Sequence, residues 1–166
     1  GSEMCIETAP FIPGAVETLR KLSLEKIPVF IVTGSPATEI RELAATRNLL
    51  PLIHHIYGSP PTKDVLLAVL LAENRLVPEE TVFFGDAPAD CEAARINQIP
   101  FIGICPDGKT SPFPPHTTVV SAIDLDFDFT NRHRLAKKFF PDKNTGKKQK
   151  ILHPNTLICI KNYLFI

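Results

Sequence analysis

Val82-Phe83-Phe84-Gly85-Asp86-Ala87-Pro88-Ala89-Asp90 is an apolar run that stops at a Gly-Asp pair, with a second carboxylate four residues further on. Read as a buried strand running into a loop that opens a helix, it sets Asp86 at the strand's carboxyl end. Asp90 then falls in the helix's first turn. Hard oxygen ligands held in this way can converge on a small divalent cation. Asp90 also has a plainer reading, because an acid in the first turn favours the helix dipole.

Upstream, Val16, Leu19 and Leu22 recur at helical spacing after Pro13-Gly14, and Pro28-Val29-Phe30-Ile31-Val32 reads as a short buried strand. Thr33-Gly34-Ser35-Pro36 follows. Ser35 is the expected N-cap and Pro36 suits a first helical turn, which predicts a helix to about Arg47. Ile53 to Tyr57 reads as another strand, ending at Gly58-Ser59-Pro60-Pro61. Thr62 is then the expected cap of a helix carrying Val65, Leu66, Val69 and Leu70 inward. Lys63 occupies that helix's first turn, where a cation opposes the dipole, so its placement asks for a partner or a task.

Downstream, the pattern predicts a helix over Pro88 to Asn97 and a strand over Pro100 to Ile104. A Pro-rich loop runs from Pro106 to Pro115, and Thr117 to Ile123 reads as an edge strand. Strands alternating with helices predict an α/β fold, a three-layer Rossmann-like sheet that is mostly parallel. Right-handed crossovers then bring the strands' carboxyl ends, with Thr33, Asp86 and Asp90, to one rim.

Composition narrows the class. The chain has 166 residues, 44% of them hydrophobic, enough for one soluble domain with a real core. No apolar stretch approaches the roughly 20 residues of a membrane span. Cys5, Cys91, Cys105 and Cys159 are scattered without a C-x-x-C pair, which fits reduced thiols in the cytoplasm better than a zinc ribbon or a disulfide framework. His54 and His55 are adjacent, and the remaining histidines are dispersed, so no metal-spaced histidine set appears.

Formal neutrality hides an asymmetry: residues 131–166 hold nine Lys or Arg against one acid. The chain divides accordingly into a core over 1–130 and a basic tail over 131–166. Residues 137–150 read as a basic connector, and Thr156 to Ile166 is apolar enough to be a strand that docks.

This order of signals resembles the haloacid dehalogenase superfamily, in particular its phosphoglycolate-phosphatase and β-phosphoglucomutase-like branch. The resemblance covers about residues 8–105: Pro13-Gly14 before a helix, the Val29 to Val32 strand ending in Thr33, Lys63 after a Gly/Pro loop, and Gly85-Asp86 with Asp90 and Ala93-Ala94. It implies an Mg²⁺-dependent phosphohydrolase acting on a small phosphorylated metabolite. By the same resemblance Thr33 and Gly34 bind the phosphoryl group with Lys63, which also offsets charge on the nucleophile. Asp86 holds Mg²⁺, and Asp90 assists directly or through water. A cation, an ammonium and a hydroxyl aimed at a phosphoryl group are suited to the charge that spreads over its oxygens during transfer.

One part of the pattern has no counterpart. The family's first motif, D-x-D-x-T after an apolar strand, precedes the Thr33 strand, usually with a cap domain between. Here the acids before Thr33 are Glu3, Glu7, Glu17 and Glu25. Neither the nucleophile's usual place nor a cap is present, which predicts little or no activity. Asp126-Phe127-Asp128-Phe129-Thr130 repeats the motif's letters on the wrong side of the others. A circular permutation would bring it between the Thr33 and Asp86 strands, with Asp126 attacking phosphorus and Asp128 as acid/base. Asp124 and Phe129 suit that role poorly, and the plain reading is an acidic-hydrophobic segment after the last core strand.

In the family the first-motif strand is central, so its loss would leave a gap of about 10 Å between strands. The candidates to fill it are Thr117 to Asp126, Thr156 to Ile166, a segment preceding this chain, or a strand from a second copy, which would make a homodimer by strand complementation. The alternative to an enzyme is a non-catalytic relative serving as a binding or assembly module. Its basic tail would meet an acidic partner or nucleic acid, although few aromatics interleave its lysines.

Overall fold

The computed structural model describes residues 15–121 and the backbone of 156–160. Six strands form one sheet: β1 (Val29–Pro36), β2 (His55–Ser59), β3 (Thr81–Gly85), β4 (Phe101–Ile104), β5 (Thr118–Val120) and β6 (Thr156–Ile160). Among the described residues four α-helices connect or precede them: α1 (Ala15–Leu24), α2 (Ala37–Thr46), α3 (Lys63–Glu73) and α4 (Pro88–Ile96). The strand order is β2-β1-β6-β3-β4-β5, and every pairing is parallel. The α/β architecture expected from the alternating pattern is the one observed.

Strands buried on both faces read as unbroken apolar runs rather than as alternation. Val29 to Thr33 and Thr81 to Gly85 are buried at every position, so side chains pointing to either face of β1 and β3 are covered. Phe30, Ile31, Phe83 and Phe84 are the bulk of that centre. The chain moves outward from β1 to β2 through α2, then back across the sheet to β3 through α3 and on to β4 through α4. Right-handed crossovers therefore put α2 on one face and α3 with α4 on the other.

Two local expectations are corrected. α2 starts at Ala37 with Pro36 at the cap position, and no side-chain bond caps it; Ser35 instead donates its backbone N–H to Thr33 Oγ1 at 3.0 Å. The Thr33 hydroxyl thus takes the turn and leaves Ser35 within β1. On α3, Leu66, Leu67 and Leu70 are buried, while Val65 and Val69 are 46% and 39% exposed. The helix is apolar nearly all round, so periodicity offered two faces. The one with the larger leucines went inward, removing more apolar area from water.

The central position between β1 and β3 is taken by β6. Val29, Phe30, Ile31 and Val32 pair with Leu157, Ile158, Cys159 and Ile160 on one side; Thr81, Val82, Phe83 and Phe84 pair with Thr156, Leu157, Ile158 and Cys159 on the other. Of the candidate fillers, Thr156–Ile160 holds the place, whereas Thr118–Val120 is the outer strand beside β4. Asp126 and Asp128 lie outside the described residues.

Candidate active site at the sheet's carboxyl rim

Ile31 of β1 and Phe84 of β3 both pair with Cys159. Thr33 directly follows the last β1–β6 pair, Val32 with Ile160, and Asp86 directly follows Gly85 at the end of β3, so the two stand at the carboxyl ends of the strands that flank β6. Two strand spacings are about 10 Å. Thr33 is buried at the end of the apolar part of β1, and Asp86 is exposed just past the end of β3. Gly34 is exposed and has open space around its α-carbon.

Lys63 reaches this rim through a tight turn. Gly58 pairs with Thr33, and a β-carbon on it would lie 2.4 Å from Ala37 N and 2.6 Å from Ser35 O. Only glycine lets the end of β2 lie this close to the turn after β1. From there the chain passes Ser59 to Thr62 and enters α3 with Lys63 as its first residue.

Asp90 is the electrostatic centre of the described rim. Its carboxylate is completely buried and its two oxygens have different partners. Oδ1 accepts from Lys63 Nζ at 2.6 Å, and Oδ2 accepts from the backbone N–H of Asp86 at 3.2 Å and of Ala87 at 3.0 Å. The second pair of bonds is the reach-back of an acid at the third helical position to orphan donors before the helix. The first explains a cation at an unfavourable helix end: Lys63 neutralises a buried carboxylate on the neighbouring helix. Gly85 makes room for this arrangement, since a β-carbon there would come within 2.5 Å of Asp90 Cβ and 2.9 Å of a Phe101 ring carbon.

A contact the sequence reading did not anticipate fixes α3 against α4. Asn97 Nδ2 donates to Asp64 O and to Ala93 O, each at 2.9 Å. An asparagine after the last turn of an apolar-faced helix was the available signal, but its partner on α3 is 33 residues away in sequence. A surface groove of about 540 Å³ lies at the opposite end of the sheet, lined by Ser23, Lys26, Pro28, Val29 and His54 among others, and contains none of the rim residues.

The family model for haloacid dehalogenase-like hydrolases matches residues 2–104. The chain belongs to this family. Among solved structures, this haloacid dehalogenase-like chain is 25% identical to a haloacid dehalogenase-like family hydrolase from Streptococcus pneumoniae, with a TM-score of 0.57 over 63% of this chain and 50% of that one. A provisionally named β-phosphoglucomutase from Thermotoga maritima is 21% identical, with a TM-score of 0.55 over 60% of this chain and 49% of that one. The core domain of a provisionally named phosphoglycolate phosphatase from S. pneumoniae is 20% identical, with a TM-score of 0.54 over 68% of this chain and 81% of that one. The chain thus spans about half the length of the first two and shares their fold. No curated protein matches it.

Members of the family typically depend on Mg²⁺. Among the described residues no group of three or more His, Cys, Asp or Glu is arranged to hold a metal. Mg²⁺ characteristically takes one or two protein carboxylates and fills its octahedron with water and phosphate oxygens. Asp86, exposed at the rim, fits as one such ligand. The buried Asp90 carboxylate spends its bonds on Lys63 and on the loop that carries Asp86. Among the described residues no helix is long and apolar enough to cross a membrane.

Proposed function

We propose that this rim is the phosphate and Mg²⁺ site of a phosphohydrolase core for a small phosphorylated metabolite, with weak or no turnover in this chain. The observation that carries the reading is the placement of Thr33 and Asp86 at the carboxyl ends of the two strands that flank β6, with the Lys63–Asp90 pair bonded to the Asp86 loop. In this reading Thr33 and Gly34 receive the phosphoryl oxygens, and Lys63 supplies positive charge beside them. Asp86 holds Mg²⁺, which supplies Lewis-acid stabilisation of phosphoryl charge when bound. Asp90 acts through its neighbours, orienting Lys63 and shaping the Asp86 loop, and reaches the metal at most through water.

Weak turnover follows from the central strand. In the family that position carries the nucleophilic carboxylate, whereas β6 is Thr-Leu-Ile-Cys-Ile and no Asp or Glu occurs anywhere from Lys143 to Ile166. Asp126, with Asp128 as acid/base, stays the proposed substitute within the chain, reaching the rim from beside the sheet, because β6 holds the central place that a permutation would have given its segment. The alternative reading is a non-catalytic binding or assembly module of the cytoplasm, a homodimer by strand complementation, or a core whose basic residues over 131–166 meet an acidic partner or nucleic acid.

Hydrolysis of a generic phosphate ester with and without Mg²⁺ tests the proposal. Expected is slow, Mg²⁺-dependent turnover lost in Asp86→Asn, and lost in Asp126→Asn if that residue is the nucleophile. Turnover indifferent to Mg²⁺ and to both substitutions overturns it. Complete inactivity with Mg²⁺-dependent phosphate binding that Asp86→Asn removes favours the non-catalytic module.

A further inference from the structure

α3 is anchored at both ends. At its far end Tyr57 of β2 donates to Glu73 Oε2 at 2.7 Å and accepts from Asn74 Nδ2 at 3.0 Å. At its near end Lys63 Nζ meets Asp90 Oδ1 at 2.6 Å, and Asp64 O accepts from Asn97 Nδ2 at 2.9 Å. The near end is the one at the rim.

The two near-end bonds are unequal as fixtures. Lys63 reaches Asp90 on a flexible four-carbon stem, so the ion pair alone tolerates many positions of the helix behind it. Asn97 bonds α3 through a main-chain carbonyl, with no side-chain torsion of α3 between that bond and the helix axis. Its amide is itself tied to α4, since Nδ2 also donates to Ala93 O at 2.9 Å. Both partners are carbonyl oxygens, which only the amide's NH₂ can serve. Asp90 and Asn97 stand seven positions apart in the sequence of α4 and its cap, about 10 Å along a helix axis. The two bonds therefore grip the first turn of α3 from separate points.

Without Asn97, α3 is free to tilt about the anchor at Glu73 and Asn74. The helix has 11 residues. Over its length of about 16 Å, a tilt of about 5° shifts the first turn by about 1.4 Å. The Lys63 stem would absorb that shift by redirecting its ammonium, and misplacement of a working group by about 1 Å is costly to a site.

We propose that Asn97 is a positioning residue for the rim: by holding Asp64 O against α4 it sets where the Lys63 ammonium stands between Asp90 and a bound phosphoryl group. What the ammonium does there rests on the phosphate-site reading; where it stands does not.

Two measurements on the full chain test this. In the first, the ε-methylene resonance of Lys63, assigned by its loss in Lys63→Met, reports the setting of the ammonium. Asn97→Ala and the isosteric, acceptor-only Asn97→Asp should both move it towards the position of the exposed lysines, with the amide resonances of β1, β3 and β4 unchanged. In the second, inorganic phosphate is titrated at saturating Mg²⁺. Asn97→Ala should weaken phosphate about fivefold or more, leave the affinity for Mg²⁺ alone within about twofold, and lose its effect when made in Lys63→Met, because its path to phosphate runs through that ammonium. Four results overturn the proposal: an unmoved Lys63 resonance, amide shifts spread over the whole sheet, phosphate affinity unchanged by Asn97→Ala, or a phosphate effect of equal size with and without Lys63. A moved resonance in a chain that binds no phosphate supports the placing of Lys63 by Asn97 and overturns the phosphate-site reading alone.

Discussion

Lys63 Nζ lies 2.6 Å from Asp90 Oδ1, joining the first residue of α3 to the third residue of α4, with Asp90 fully buried and the Lys63 side chain 26% exposed. The pair does two jobs in one contact. It places a positive charge against a fully buried carboxylate, and it holds the Lys63 ammonium at the start of α3 beside the loop that carries Asp86.

Removing the acid should cost more than removing the base. Asp90→Ala strands Lys63 and also the N–H groups of Asp86 and Ala87, and should destabilise by about 3–5 kcal/mol, the range for breaking a buried pair. Lys63→Met leaves both backbone donors on Asp90, and the space vacated by the half-buried ammonium lets water reach Oδ1, so a smaller loss of about 2 kcal/mol is expected. Urea midpoints at unchanged slope measure both. Equal effects would show that the ion pair alone, not the loop, is what Asp90 serves.

Three glycines should rank by what a methyl group meets. Gly58→Ala drives its β-carbon against the backbone of Ser35 and Ala37, at 2.6 and 2.4 Å, and that turn cannot yield cheaply. Gly85→Ala meets the Asp90 side chain at 2.5 Å, for a cost of about 1–3 kcal/mol from overpacking and a displaced Lys63 partner. Gly34→Ala meets nothing within 4 Å and should be near neutral. Thermal midpoints in the order Gly34→Ala, Gly85→Ala, Gly58→Ala, highest first, are the expected result.

Tyr57 should give the fold an alkaline limit. Its hydroxyl donates to Glu73 Oε2 at 2.7 Å and accepts from Asn74 Nδ2 at 3.0 Å. Burial, with the Glu73 carboxylate adding to it, holds the phenol's pKa above its ordinary 10.0. The folded state therefore keeps the proton more tightly than the unfolded one. The stability this contributes is intact below pH 10 and is lost as pH rises through the folded value. Tyrosinate absorbance should show one of the chain's two tyrosines titrating late, and Tyr57→Phe should remove that alkaline slope at a cost of about 1 kcal/mol.

Local chemistry in the sequence determined the element types, the parallel α/β class and the rim to which Thr33, Lys63, Asp86 and Asp90 come. Apolar runs, Gly-Asp stops and helix starts are short-range signals, and crossover handedness does the rest. The tertiary structure alone decided which face of α3 is buried, because Val65-Leu66 and Val69-Leu70 fit either face and only packing against β1 and β2 separates them. It alone gave Lys63 a partner 27 residues away, turning an awkward helix-start cation into a bonded one. It also chose the strand for the sheet's centre, since any apolar segment could satisfy the backbone groups of β1 and β3. Thr156–Ile160 does so without bringing a carboxylate, a consequence that pairing across the whole chain imposes and that no window of residues contains.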